Sequence, residues 1–138
     1  MREESIRAAL GAEHVRLEEG MTRLANAAEG ADRVAMRAEW GSFERALRDH
    51  LELEERELFV PVEAIEPAAV EEARVDHRRI REMLDELGMQ VDLHTVRKET
   101  IDRFLELLRA HAAREDAALY RHADAALSTT RSATSHAR

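Results

Sequence analysis

Four histidines and two glutamates of this chain have the types and spacings that suit a metal centre. His50 and Glu54 are four residues apart, and so are His111 and Glu115. Residues four apart on a helix lie on one face, one turn apart, so each imidazole–carboxylate pair can reach a common point. His14 and His77 each interrupt an apolar stripe at helical spacing. The stripes read Ile6, Leu10, His14, Leu17, Met21, Leu24 and Val70, Ala73, His77, Ile80, Leu84, Leu87. The two pairs interrupt stripes of the same kind, Met36, Trp40, Phe43, Leu47, His50, Glu54, Leu58 and Ile101, Phe104, Leu108, His111, Glu115, Ala118. A single histidine on such a stripe is ordinarily a hydrogen-bonded core residue. Four of them, two with a glutamate one turn on, outweigh that reading. Burying these groups without partners is costly, and cations remove the cost by neutralising the carboxylates and taking the imidazole lone pairs. Six such ligands exceed the needs of one tetrahedral ion and suit two ions with bridging carboxylates. Nitrogen and oxygen donors without thiolate favour iron or manganese, with zinc as the other choice.

The elements that position these residues follow from sparse punctuation. Gly30 with Asp32, Pro61 to Pro67, and Gly88 to Asp92 are the strong breaks. They predict four helices: Glu3 to Glu29; from an N-cap at Asp32 to Pro61; Pro67 to Gly88; and from between Asp92 and Thr95 to Leu127. The expected fold is all-α, an up-down-up-down four-helix bundle over residues 1–127. The Ser/Thr/Ala-rich tail 128–138 is expected to be disordered. At about 1.5 Å rise per residue, the four histidines fall near mid-bundle, with height mismatches of roughly 8–12 Å. The chain also repeats itself. Glu13-His14-Val15-Arg16-Leu17-Glu18-Glu19 resembles Asp76-His77-Arg78-Arg79-Ile80-Arg81-Glu82, and the stretch from His50 to Phe59 resembles that from His111 to Tyr120. The two histidine offsets, 63 and 61 residues, suggest two copies of one helix pair about a pseudo-two-fold axis.

Composition narrows the chemistry. Of 138 residues, 44 % are hydrophobic, 36 % charged and none is cysteine, which removes disulfides, thiolate-ligated clusters and cysteine nucleophiles. The formal net charge of −8 argues against nucleic acid as a partner. No apolar run is long enough for a membrane span, and no signal-peptide apolar region follows the N-terminus. A soluble, cytoplasmic protein is the expectation, with any protein partner left unspecified.

One histidine, His-x-x-x-Glu, one histidine and a second His-x-x-x-Glu, taken together, resemble the hemerythrin-like (HHE cation-binding) family. The stretch His50-Leu-Glu-Leu-Glu54-Glu55-Arg-Glu-Leu58-Phe59-Val-Pro61 is similar to that family's most recognisable segment, and the likeness spans residues 1–127. The resemblance implies a bundle holding two non-haem iron ions, oxo- or hydroxo-bridged. By it, His14 and His50 bind one ion, His77 and His111 the other, and Glu54 and Glu115 bridge them. It further implies a centre that meets dioxygen, peroxide or nitric oxide, with catalase-like peroxide breakdown as the enzymatic form. Iron or oxygen sensing or storage, and a structural zinc bundle, are the alternatives. Oxygen-carrying members have His-x-x-x-His on the third helix; here position 81 is Arg81, which argues against reversible oxygen carriage. Arg81 therefore pairs with a carboxylate, guards the open side of the centre, or lies on the surface. Those carriers also use His-x-x-x-x-Asp on the fourth helix, which Asp116 satisfies, but the repeat favours Glu115 as the counterpart of Glu54. The rival ferritin-like bundles need Glu-x-x-His, and the residues three before the four histidines are Gly11, Leu47, Arg74 and Leu108. Glu18 is a weaker candidate ligand. His94, His122 and His136 read as incidental, and Tyr120 as packing or surface.

Overall fold

Asp32 opens the second helix as its sequence context predicts: its side chain accepts from the backbone N–H of Val34 at 3.0 Å and of Ala35 at 3.1 Å. In the computed structural model, residues 2–30 and 32–123 are described, with side chains from residue 8 onward. The tail 128–138, His136 and the end of the expected fourth helix lie outside the described residues. The regular structure is all helical: α1 Arg2–Gly30, α2 Arg33–Glu57, α3 Phe59–Glu63, α4 Pro67–Asp92 and α5 Lys98–Glu115. A π-helical turn, Asp116–Tyr120, continues α5, and helix resumes over 121–123.

Three boundaries depart from expectation. The second helix ends at Glu57, and Pro61 sits inside the short α3. Pro61 falls in the first turn there, where a backbone N–H has no intrahelical partner to lose. Gly88 does not stop α4, which runs on to Asp92. It lies instead against Trp40, and a Cβ there would stand 3.4 Å from the indole Nε1. The stop comes at His94, whose φ of 57° is the left-handed conformation that ends many helices. His94 is thus an exposed turn residue. The fourth helix then starts at Lys98, later than its expected start between Asp92 and Thr95.

The four long helices close a ring, α1 against α2 and α5, and α4 against α2 and α5, while α3 bridges α2 and α4. Two apolar clusters fill it. The larger holds Leu24, Trp40, Phe43, Leu51, Leu84 and Phe104 among others; the smaller holds Leu10, Phe59, Val62, Val70 and Leu119. Each fully buried leucine or phenylalanine contributes about 1.5–3 kcal/mol. Each of the four interrupted stripes passes from one cluster to the other. Leu10 and Leu17 flank His14 in different clusters, as Ala73 and Ile80 flank His77, Leu51 and Leu58 flank Glu54, and Leu108 and Leu119 flank Glu115. The polar residues therefore form one layer between two apolar ones. No helix among the described residues is long and apolar enough to cross a membrane.

Candidate metal centre

All six residues picked out by spacing meet in that layer. His50, Glu54, His77, His111 and Glu115 are buried, Glu54 completely, and the side chain of His14 is 13 % exposed. They form two groups whose potential donor atoms lie within 4.8 Å of one another: His14, His50, Glu54 and Glu115, and Glu54, His77, His111 and Glu115. The glutamates belong to both groups, and each turns one oxygen to either side. Glu54 Oε2 is 3.1 Å from His50 Nε2 while its Oε1 is 3.1 Å from His77 Nε2. Glu115 Oε1 is 3.3 Å from His14 Nε2, and its Oε2 is 3.2 Å from His77 Nε2 and 2.7 Å from His111 Nε2. Asp116 stays outside, its side chain 59 % exposed and its nearest oxygen 3.7 Å from the outer nitrogen of His14. Glu18 points away and pairs with Arg109 at 2.8 Å. His122 accepts a hydrogen bond from the neighbouring Arg121 at 3.3 Å and is not part of either histidine group.

A second set of carboxylates holds the outer nitrogens. His50 Nδ1 meets Glu13 at 2.5 Å, His77 Nδ1 meets Glu55 at 2.7 Å, and His111 Nδ1 meets Asp76 at 3.0 Å. An ionised carboxylate only accepts, so in each pair the Nδ1–H donates and Nε2 is turned to the centre, where it can bind a cation in place of a proton. This is how metal-binding imidazoles are commonly oriented. Arg81 grips Glu55 with two hydrogen bonds of 2.6 and 2.8 Å, and Arg114 grips Asp76 at 2.7 and 3.2 Å. Of the three roles open to Arg81, it takes carboxylate pairing. Glu13, Glu55, Asp76 and Arg114 did not stand out in the sequence. The signal was adjacency: Glu13 and Asp76 directly precede His14 and His77, about 100° round the helix and so aimed at the next one.

The comparisons agree with this geometry. The family model of the Hemerythrin HHE cation binding domain matches residues 5–123. The chain belongs to the hemerythrin HHE cation-binding domain family. Comparison with curated proteins and with solved structures gives no match.

The electrostatics of this hemerythrin-family site call for positive charge. Burial opposes protonation of His50, yet Glu54 and Glu13 outweigh it and raise its pKa to about 9. Burial likewise opposes protonation of His77, and Glu115 and Glu54 raise it to about 10. His111 is raised, against burial, by Glu115 and Asp76. Burial would lift Glu115, but His111, His14 and His77 hold it well below the carboxylate range. Glu55 and Asp76 are also lowered against burial, by Arg81 with His77 and by Arg114 with His111. Without metal, protons thus supply the positive charge. Glu54 Oε1, Glu115 Oε1 and His111 Nε2 are nonetheless buried without a hydrogen-bond partner. They lie close to polar neighbours but are not aligned for hydrogen bonding. Orphaned donors of this chemistry, converging from α2 and α5, fit cations well.

Tyr120 is the residue the sequence pattern misplaced. In an unbroken α-helix, nine residues leave it on the side opposite His111. The π-turn holds an extra residue, which rotates the remainder of the helix by about 100°. The stripe expected at Ala118 is carried instead by Leu119, Tyr120 and Ala123. The Tyr120 hydroxyl stands 2.9 Å from His14 Nε2 and 3.1 Å from His50 Nε2, and it donates a hydrogen bond to Glu54 Oε2. An open cleft of about 540 Å³ leads inward, lined by α1, α5 and part of α2. Leu17, Met21, Leu47 and Leu108 flank it, and His14, His50, His111 and Glu115 stand along it.

Proposed function

We propose that this chain is a non-haem di-iron protein whose metal pair reacts with a small oxygen or nitrogen species. His14 and His50 hold one ion, His77 and His111 the other, and Glu54 and Glu115 bridge them. The observation that carries this reading is the division of labour within the two glutamates. Each is shared between both histidine groups and offers one oxygen to each. A single ion would leave one oxygen of each carboxylate unused. The supporting scaffold is an up-down-up-down bundle over residues 1–127 built from two copies of a helix pair. In its favour, α1 and α4 lead from the smaller apolar cluster to the larger, and α2 and α5 lead back. Glu13 on His50 and Asp76 on His111 are also equivalent contacts in the two copies.

Bound there, a pair of iron ions supplies two-electron redox chemistry to dioxygen, peroxide or nitric oxide, with peroxide breakdown as its catalytic form. The rest is done by the chain. Four imidazoles, three of them oriented by outer carboxylates, and two bridging carboxylates would hold the ions. The apolar layers above and below exclude bulk water. The cleft between α1 and α5 gives a small molecule access to the histidines and glutamate that line it.

Protein made in iron-replete cells is expected to carry two irons per chain and to release oxygen when peroxide is added. Stoichiometric zinc with no iron would replace the redox reading with a structural one. Two irons without oxygen release would leave binding or storage, not turnover, as the function.

A further inference from the structure

Resting on the metal reading above, we propose that Tyr120 is a seventh protein ligand, given to one of the two ions only. Its oxygen lies among the donors of the first group. Donors about 2.0–2.2 Å from one ion, at roughly right angles, stand about 3 Å from each other. The hydroxyl lies 2.9 Å from His14 Nε2 and 3.1 Å from His50 Nε2, and the two nitrogens lie 3.1 Å apart. Glu54 Oε2 is 3.1 Å from His50 Nε2 and hydrogen-bonded to the hydroxyl. Four donors thus have the spacing of one coordination shell. The ring cannot swing away, because it is 2 % exposed and stacks on His14 with centroids 4.9 Å apart.

The second group has no such oxygen. Phe59 follows His50 by nine residues, as Tyr120 follows His111. It packs beside His77, centroids 5.0 Å apart, and offers only a phenyl ring. The outer residues differ too. Two outer carboxylates, Glu55 and Asp76, back the histidines of the second group. Only Glu13 backs the first, since His14 Nδ1 has no hydrogen-bond partner and Asp116 stands 3.7 Å off. Tyr120 would bind as the phenolate. When the ferric ion binds, the O–H bond breaks, the oxygen–iron bond forms, the proton passes to buffer, and no electron moves.

The test uses the full chain, iron-loaded and air-oxidised, by visible absorption and resonance Raman. Tyr120 is the only tyrosine in the sequence, so any tyrosinate signal comes from it. The expected result is a visible charge-transfer band that enhances tyrosinate ring modes, with those modes shifting when ring-deuterated tyrosine is supplied. Tyr120→Phe is expected to keep iron and lose both signals. Two irons per chain without tyrosinate modes would overturn this assignment and leave the di-iron reading standing. A chain that takes up no iron under any loading would overturn both.

Discussion

The two halves of the cluster share Glu54 and Glu115 and differ in what stands behind their histidines. On the His77 and His111 side, each outer nitrogen donates to a carboxylate that an arginine holds in turn. On the His14 and His50 side, Glu13 stands without an arginine partner among the described residues, and His14 has no outer partner. That side also carries the phenol, while the cleft passes His111 as well as His14 and His50. On the two-copy reading proposed above, the inner residues are alike in the two halves and the outer ones diverge. One half is braced by arginine-held carboxylates, and the other is not.

The largest effect tests what the halves share. Glu54→Ala and Glu115→Ala are each expected to lose both ions, whereas Glu57→Ala, on the exposed end of α2, keeps two by metal analysis. If either bridging variant retained two ions, the sharing would be wrong. Next come the braces. Asp76→Asn and Glu55→Gln are expected to weaken metal binding by about 10–100-fold, the usual cost of removing the partner of a ligating imidazole. Asp116→Asn, at the equivalent place behind His14, is expected to leave affinity unchanged in a competitive chelator titration. Equal losses at Asp76 and Asp116 would erase the difference between the halves.

A smaller effect appears in the metal-free protein as pH changes. The folded pKa values of His50 and His77, about 9 and 10, exceed the ordinary 6.5. Their stabilisation is complete below pH 6.5 and is lost as pH rises through 9 to 10. Glu115 has the opposite sign: its contribution is present above the ordinary 4.5 and is lost as pH falls through its lowered value. Thermal unfolding of the metal-free chain should therefore show a maximum Tm between about pH 4.5 and 6.5 and a steady fall towards pH 10. Iron loading should flatten the alkaline fall, because the cations then replace the protons. A Tm unchanged from pH 6.5 to 10 in the metal-free chain would mean that His50 and His77 are not held protonated.

What was legible in the sequence was whatever obeys a fixed period. The four stripes, the two His-x-x-x-Glu pairs and the caps at Asp32 and Pro67 are repeats of 3.6 residues or local hydrogen bonds, and the structure brings all six candidate ligands into one layer. What was not legible depends on neighbours or on a broken period. Tyr120 enters the cluster through a π-turn, and no spacing rule carries across an inserted residue. Glu13, Glu55 and Asp76 act on histidines of other helices, so their partners become known only once the helices are packed. Gly88 looks like a stop when read locally, but Trp40 on α2 lies against it, and the turn falls to His94.

The polar layer between two apolar clusters has a consequence for how the helices find their alignment. Leucine-rich helices can slide past each other by one turn, about 5.4 Å, and still bury apolar surface. Here such a slip would push a histidine or glutamate into a hydrocarbon layer and draw a leucine into the charged one. The mismatch would strand unpaired carboxylates at a cost of several kcal/mol. The proposed ligand residues therefore also act as a vernier, selecting one longitudinal setting of the four helices before any metal arrives.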